Sequence, residues 1–120
     1  MTEERLKLGA WGEDEAVRYL RKLGARILFR NFTTPVGEID IIARLKKKLL
    51  FVEVKTRSSH VYGSPADAVG PRKQQQIIRT AQWYLQQGQH QQLEPRFDVV
   101  TILVNGHEVE IEHFPDAFEA

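Results

Sequence analysis

Apolar side chains recur at helical spacing in two parts of the chain. In residues 2–23 this stripe consists of Leu6, Ala10, Val17 and Leu20, and Gly24 follows as a helix stop. In the second part, which Pro71 opens and which ends near Gln87, the stripe consists of Ile77, Ile78, Ala81, Tyr84 and Leu85. We predict an amphipathic helix in each part.

Five shorter runs have the composition and alternation of β-strands. They are residues 26–32, 38–44, 49–56, 97–104 and 107–114. Residues 45–48 are few enough to join two strands as a hairpin, and Asn105-Gly106 is the strongest hairpin signal a short segment can carry. Residues 57–70 predict a loop and residues 89–92 a linker. The order α, β, β, β, α, β, β therefore predicts an α/β fold with a mixed central sheet flanked by helices.

Composition narrows the class of protein. At 120 residues the chain can build one hydrophobic core but hardly two, so we expect residues 1–120 to form a single domain. The formal net charge of +1 gives no overall attraction for a polyanion, and nucleic-acid binding would depend on local basic clusters. The lack of cysteine excludes disulfides and thiolate metal sites. No segment has the pattern of a signal peptide or a membrane span, and we expect a cytoplasmic protein without membrane contact.

Two carboxylates are expected to meet across the first predicted hairpin. If its turn is centred on Lys46 and Lys47, paired residues have numbers that sum to 93, which sets Asp40 opposite Glu53. Opposed Cβ atoms are roughly 4.5–5.5 Å apart, so these carboxylates would repel each other unless a cation lay between them. By alternation we expect a charged face and an apolar face, the apolar one formed by Ile39, Ile41, Val52 and Val54.

Lys55 is expected on the charged face, two residues beyond Glu53. Oxygen ligands without His or Cys favour Mg²⁺ or Mn²⁺ over zinc, and Mg²⁺ usually retains waters that can become nucleophiles. Lys55 could orient such a water or neutralise charge on an attacked phosphate. The alternative is an exposed ladder of cross-strand salt bridges, and a slip of one residue would separate the carboxylates.

Glu13 is an acid in the middle of the first apolar stripe. At 100° per residue it lies within about 20° of both Leu6 and Leu20. A carboxylate directed at a core is costly unless it is paired or binds a metal, so Glu13 is a further site candidate. The alternatives are a slightly rotated helix, or a Glu13 side chain that reaches an arginine at the edge of the core.

Two segments carry a recognisable motif: Gly37-Glu38-Ile39-Asp40-Ile41-Ile42-Ala43 and Phe51-Val52-Glu53-Val54-Lys55-Thr56-Arg57. Together they resemble the D…ExK core of the PD-(D/E)XK nuclease superfamily. Nearly the whole chain also resembles the YraN family of bacterial proteins, which is similar to archaeal Holliday-junction resolvases. Further segments that match this family are Gly12-Glu13-Asp14, Ala16, Tyr19-Leu20, Asn31-Phe32, Gly63-Ser64-Pro65, Pro71-Arg72-Lys73, Arg96-Phe97-Asp98-Val99-Val100 and Ala117-Phe118.

The resemblance implies a restriction-endonuclease-like fold with the element order given above. It implies Asp40 and Glu53 as metal ligands, Lys55 as the catalytic lysine and Glu13 as an accessory acid from the first helix. One departure is that residues 45–48 replace the Asp-Gly-type turn expected of the family. This departure concerns the loop and not the site.

Basic residues near these segments are candidate contacts for phosphates, which supply affinity without reading sequence. They are Lys46, Lys47, Lys48, Arg57, Arg72 and Lys73. Tyr62, in the predicted loop, could stack on a base. For each of these residues the alternative is an ordinary solvated surface position.

The candidate acid site, taken with what the family resemblance implies, predicts an Mg²⁺- or Mn²⁺-dependent endonuclease that hydrolyses phosphodiester bonds of DNA, branched or otherwise structured. Cutting two strands would require a homodimer, although the sequence contains no dimer interface that we can name. The first alternative is a non-catalytic nucleic-acid-binding or scaffolding module on the same fold. The second is a charged face that binds another protein, which predicts no metal affinity.

Overall fold

A computed structural model describes residues 3–57, 69–88, 90 and 92–120 of the chain. The helices are α1 (Glu3–Lys22) and α2 (Pro71–Gln86). The strands are β1 (Arg26–Thr34), β2 (Gly37–Leu45), β3 (Lys48–Arg57), β4 (Glu94–Asn105) and β5 (Glu108–Phe118). The predicted element order is confirmed, and the last two strands are longer than predicted. No helix in these ranges is long and apolar enough to cross a membrane.

The strands form one five-stranded sheet in the order β1-β2-β3-β4-β5. All neighbours are antiparallel except β3 and β4, which run parallel from Lys48–Glu94 to Arg57–Leu103. Parallel neighbours need a long crossover connection, and α2 lies in the segment that connects them. The sheet is therefore mixed, as predicted.

Helices cover both faces of the sheet, so the prediction of one apolar and one charged face is wrong. The core on the α1 side includes Ala16, Val17, Leu20, Ile41, Ala43, Leu50, Val52 and Val100. The core on the α2 side includes Ile39, Ile42, Leu49, Phe51, Ile77, Tyr84, Phe97 and Val99. Strands buried on both faces are apolar at consecutive positions, which explains the buried run from Leu49 to Val52.

The alternation of β2 is interrupted at Asp40. Ile39 and Ile41 would share a face in a regular strand, but they pack in the two different cores. Ala10 also departs from the prediction, because it is exposed rather than on the inner face of α1.

The predicted register of the first hairpin is confirmed. Paired residues in β2 and β3 run from Leu45–Lys48 to Ile41–Val52, and the numbers in every pair sum to 93. The turn contains no glycine, and Lys46 itself adopts the positive φ of 55°. The prediction from Asn105-Gly106 is also confirmed, since β4 and β5 pair on either side of this turn.

A polar network ties α1, β4 and β5 together around the buried Asp98. Its carboxylate accepts two hydrogen bonds from Arg96, at 2.8 and 2.9 Å, and one from the backbone N–H of Asp116. His113 Nε2 lies 2.7 Å from Asp98, and His113 Nδ1 lies 3.2 Å from the hydroxyl of Tyr19. Burial disfavours the charge, but the hydrogen bonds outweigh it and lower the pKa of Asp98.

Candidate active site

Asp40 lies where the hydrogen-bonded pairing of β2 with β3 ends. Ile41–Val52 is the last pair, and Asp40 and Glu53 are the next residues on their strands. There the Asp40 side chain replaces a backbone acceptor, since its Oδ2 accepts the N–H of Val54 at 2.8 Å. The bond fixes the Asp40 carboxylate beside the backbone of β3, one residue from Glu53.

Glu53 is the buried member of this acid pair. Only 5% of its surface is exposed, and its Oε2 has no hydrogen-bond partner among the described residues. Its Oε1 lies 3.8 Å from Lys73 Nζ on α2. Burial, followed by the charge of Asp40, raises the pKa of Glu53 to about 8, although Lys73 and Lys55 act in the opposite direction. Near neutral pH the Glu53 carboxyl therefore holds a proton that a divalent cation could replace.

Helix α1 reaches this site through a close contact at Gly12. A Cβ added to Gly12 would lie 1.8 Å from Thr56 Oγ1 and 2.8 Å from Thr56 Cβ on β3. A side chain at this position would therefore push the helix away from the strand. The contact places the next residue, Glu13, beside Asp40. Burial and then the charge of Asp40 raise the pKa of Glu13.

These elements enclose a cleft of about 560 Å³. Its charged lining consists of Glu13, Glu38, Asp40, Glu53, Lys55 and Lys73. All four residues that the sequence predicted as catalytic thus line one cavity. Because acids outnumber lysines there, the cleft attracts cations.

The donors in this cleft suit a hard divalent cation. In the described part of the chain, no three His, Cys, Asp or Glu side chains converge as a complete ligand set. Mg²⁺, however, is often held by one or two carboxylates and keeps several waters, and Asp40 and Glu53 beside an open cleft meet that requirement. The clearest sign of fit is the buried Oε2 of Glu53, which lacks a hydrogen-bond partner within the described ranges and which a cation would satisfy.

The three lysines predicted to contact phosphates near the turn lie away from the cleft. Lys46 and Lys47 form the β2–β3 turn, at the opposite end of β2 from Asp40 and roughly 20 Å along the strand. Lys48 forms an ion pair with Glu94. Phosphate contacts by these three lysines stay a prediction. A nucleic acid bound at the cleft would have to extend well beyond it to reach them.

The other predicted contacts lie in two places. Arg57 is half-buried at the end of β3, and Arg72 is exposed at the start of α2. Lys73, which we predicted only as a phosphate contact, instead directs its Nζ toward Glu53 inside the cleft. Tyr62 lies outside the described residues.

Sequence reasoning missed what Gly12, Asn31 and Lys73 do. Each belongs to a segment that resembled the family, but hydrophobic spacing cannot show that three segments far apart in the chain meet at one cleft. The carboxamide of Asn31, on β1, faces both carboxylate oxygens of Glu13 at 3.1 and 3.2 Å. In each case the role depends on a long-range contact, and the sequence of this chain carries no local pattern that reports it.

Comparisons with known proteins agree with the family resemblance. The model of the family described as "Uncharacterised protein family UPF0102", which corresponds to YraN, matches residues 12–102. A UPF0102 protein of Syntrophotalea carbinolica is 56% identical over 119 residues, covering 99% of this chain and 97% of that protein. A UPF0102 protein of Desulfosudis oleivorans is 45% identical over 120 residues, covering 100% of this chain and 96% of that protein.

A solved structure with a similar fold is Hjc of Archaeoglobus fulgidus, a Holliday junction resolvase from an archaeal hyperthermophile. The TM-score is 0.51 and the sequence identity 19%, over 86% of this chain and 72% of that chain. At this identity the similarity concerns the fold. The restriction-endonuclease-like fold predicted from the sequence is thereby confirmed.

Proposed function

This chain belongs to the UPF0102 family, and we propose that it is a metal-dependent nuclease that hydrolyses phosphodiester bonds in DNA. The single observation that carries the proposal is the buried Glu53 carboxyl, which lies next to Asp40 and whose Oε2 has no hydrogen-bond partner among the residues that the structure describes. A buried carboxyl beside a second acid is costly in a purely structural role, because burial and repulsion both oppose its charge. A divalent cation removes both penalties.

Asp40 and Glu53 would hold the cation. Bound there, Mg²⁺ or Mn²⁺ would supply charge neutralisation for the attacked phosphate and a lower pKa for the attacking water. Lys55, on the same cleft wall, would hold that water or a phosphate oxygen through its ammonium group. Glu13, from α1 and also in the cleft lining, would accept hydrogen bonds from water beside Asp40.

The fold shared with a Holliday junction resolvase supports DNA as the substrate and, within DNA, branched structures. A junction has two strands to cut, so a homodimer would supply the two sites that such a substrate needs. We further propose that the protein acts in the cytoplasm, where chromosomal DNA of a bacterial cell lies.

The test is cleavage of linear, flapped and four-way DNA with Mg²⁺ or Mn²⁺, together with calorimetric Mn²⁺ binding. We expect Asp40→Asn and Lys55→Ala each to reduce cleavage at least about 100-fold, with DNA binding retained. Glu119→Gln, which changes an exposed acid just after β5, serves as the matched control and should cleave like the wild type. Cleavage undiminished in both site variants, or no Mn²⁺ binding, would contradict the proposal. DNA binding and Mn²⁺ binding without any cleavage would favour the non-catalytic module.

A further inference from the structure

Asn31 has an unusual backbone conformation for its place in a strand. Its φ is 50°, in the left-handed region, although it lies within β1. The pairs on either side are Arg30–Ile41 and Phe32–Ile39, so Asn31 lies opposite Asp40. Non-glycine residues seldom adopt such a φ in a strand, and Asn is among the few that tolerate it. Strain of this kind is often retained where a side chain must be aimed.

The Asn31 side chain is aimed at Glu13. Its carboxamide lies 3.1 and 3.2 Å from the two oxygens of the Glu13 carboxylate. Only the orientation with the amide nitrogen toward Glu13 places a donor against these acceptors. The adjacent residues on both elements also pair, since Arg30 Nη2 lies 2.7 Å from Asp14 Oδ1. Two consecutive contacts thus link β1 to α1 beside the cleft.

The chemistry of an amide is suited to this position. A carboxylate has about four lone-pair sites, and one NH₂ group leaves several of them free toward the cleft. Lysine or arginine there would neutralise Glu13 and compete with a cation for it. A neutral donor orients the acid without cancelling its charge, as outer-shell partners of metal sites commonly do.

We propose that Asn31 is a positioning residue that holds the Glu13 carboxylate toward Asp40 and the cation. This inference rests on the proposed function, because the contact between Asn31 and Glu13 would serve to bind the cation. It goes beyond that proposal because it gives Asn31, with its left-handed backbone conformation in β1, a role in the site.

The first test is Asn31→Gly. Glycine accepts the φ of 50° without strain, so this variant removes the amide while the backbone conformation remains favourable. We expect the thermal midpoint to stay close to wild type and Mn²⁺ affinity to fall roughly tenfold. With cleavage as the readout, kcat should fall while the KM for DNA stays unchanged. Wild-type Mn²⁺ affinity in Asn31→Gly would overturn the inference.

A double-mutant cycle separates positioning from a general structural effect. Because Asn31 is argued to act through Glu13, adding Asn31→Gly to Glu13→Gln should reduce Mn²⁺ affinity little further. Full additivity of the two effects would show that Asn31 acts by another route and would overturn the inference.

A metal-free measurement distinguishes failure of this inference from failure of the proposed function. The chain has two asparagines, Asn31 and Asn105, and their side-chain NH₂ signals can be followed by NMR. Glu13→Gln should shift the Asn31 signals and leave those of Asn105, at the end of β4, in place. If neither signal moves, Asn31 does not contact Glu13, and this inference fails independently of metal binding. If Asn31 responds but the wild type binds no Mn²⁺, the metal role of both proposals is wrong.

Discussion

The backbone N–H of Val54 donates a hydrogen bond to the carboxylate of Asp40 at 2.8 Å, across the point where β2 and β3 cease to pair. One side chain therefore has two functions. It satisfies a backbone donor that the sheet leaves unpaired, and it presents charge to the cleft beside Glu53.

These two functions can be separated by substitution. Asp40→Asn retains an oxygen that can accept the Val54 N–H, whereas Asp40→Ala leaves this donor without its partner. We expect Asp40→Ala to lose about 1–3 kcal/mol of unfolding free energy. Asp40→Asn should be at least as stable as the wild type at pH 8, because it no longer repels Glu53. Both variants should lose metal affinity. Urea unfolding with chelator present gives the stabilities, and equal destabilisation of both variants would count against the role of the Val54 bond.

Stability of the metal-free protein should fall as pH rises from about 5 to about 8. The pKa of Glu53 is raised from 4.5 to about 8, so between these values the folded state binds a proton that the unfolded state does not. Unfolding then becomes easier with increasing pH, by a total on the order of 4 kcal/mol. Glu53→Gln removes this titration, and the difference between the two proteins isolates it. Parallel pH profiles of wild type and Glu53→Gln would show that Glu53 titrates normally.

Lys73→Gln should increase metal affinity at pH 9. At that pH Glu53 is ionised, and the Lys73 side chain, whose Nζ lies 3.8 Å from Glu53 Oε1, competes with the metal for this carboxylate. We expect Mn²⁺ affinity to rise roughly 3- to 10-fold, measured by calorimetry. Arg72→Gln is the matched control, since it removes the same charge from the exposed neighbouring position and should change metal affinity less than twofold. If both variants reduce DNA affinity alike, Lys73 also serves as the phosphate contact that we predicted.

Gly12→Ala should destabilise the protein, and Gly9→Ala should not. A Cβ at Gly12 would lie 2.8 Å from Thr56 Cβ, which rotation of the Thr56 side chain cannot relieve, whereas nothing lies within 4 Å of a Cβ at Gly9. We expect Gly12→Ala to cost about 1–3 kcal/mol and to weaken metal binding, because it displaces Glu13. Gly9→Ala should gain up to about 1 kcal/mol from helix propensity. Thermal unfolding of the two variants decides this, and equal midpoints would contradict the close approach of α1.

Much of the site follows from local patterns. The two-residue turn at Lys46 and Lys47 sets the register of β2 against β3, and that register alone brings Asp40 next to Glu53. Helical spacing placed Glu13 on the inner side of α1. These are short-range relations along the chain, and side-chain periodicity reports them directly.

The tertiary structure decided the rest, because it depends on contacts between segments that no periodicity connects. Both sheet faces are buried because α1 and α2 pack on opposite sides of the sheet. The acids therefore lie in a cleft at the edge of the two cores and not on an open charged face. The parallel pairing of β3 with β4 accompanies the α2 crossover, and α2 carries Lys73 to Glu53. Sequence alone therefore determined which acid pair meets, and only the tertiary packing decided what surrounds it: the burial that raises the pKa of Glu53, and the contact of Asn31 with the third acid, Glu13.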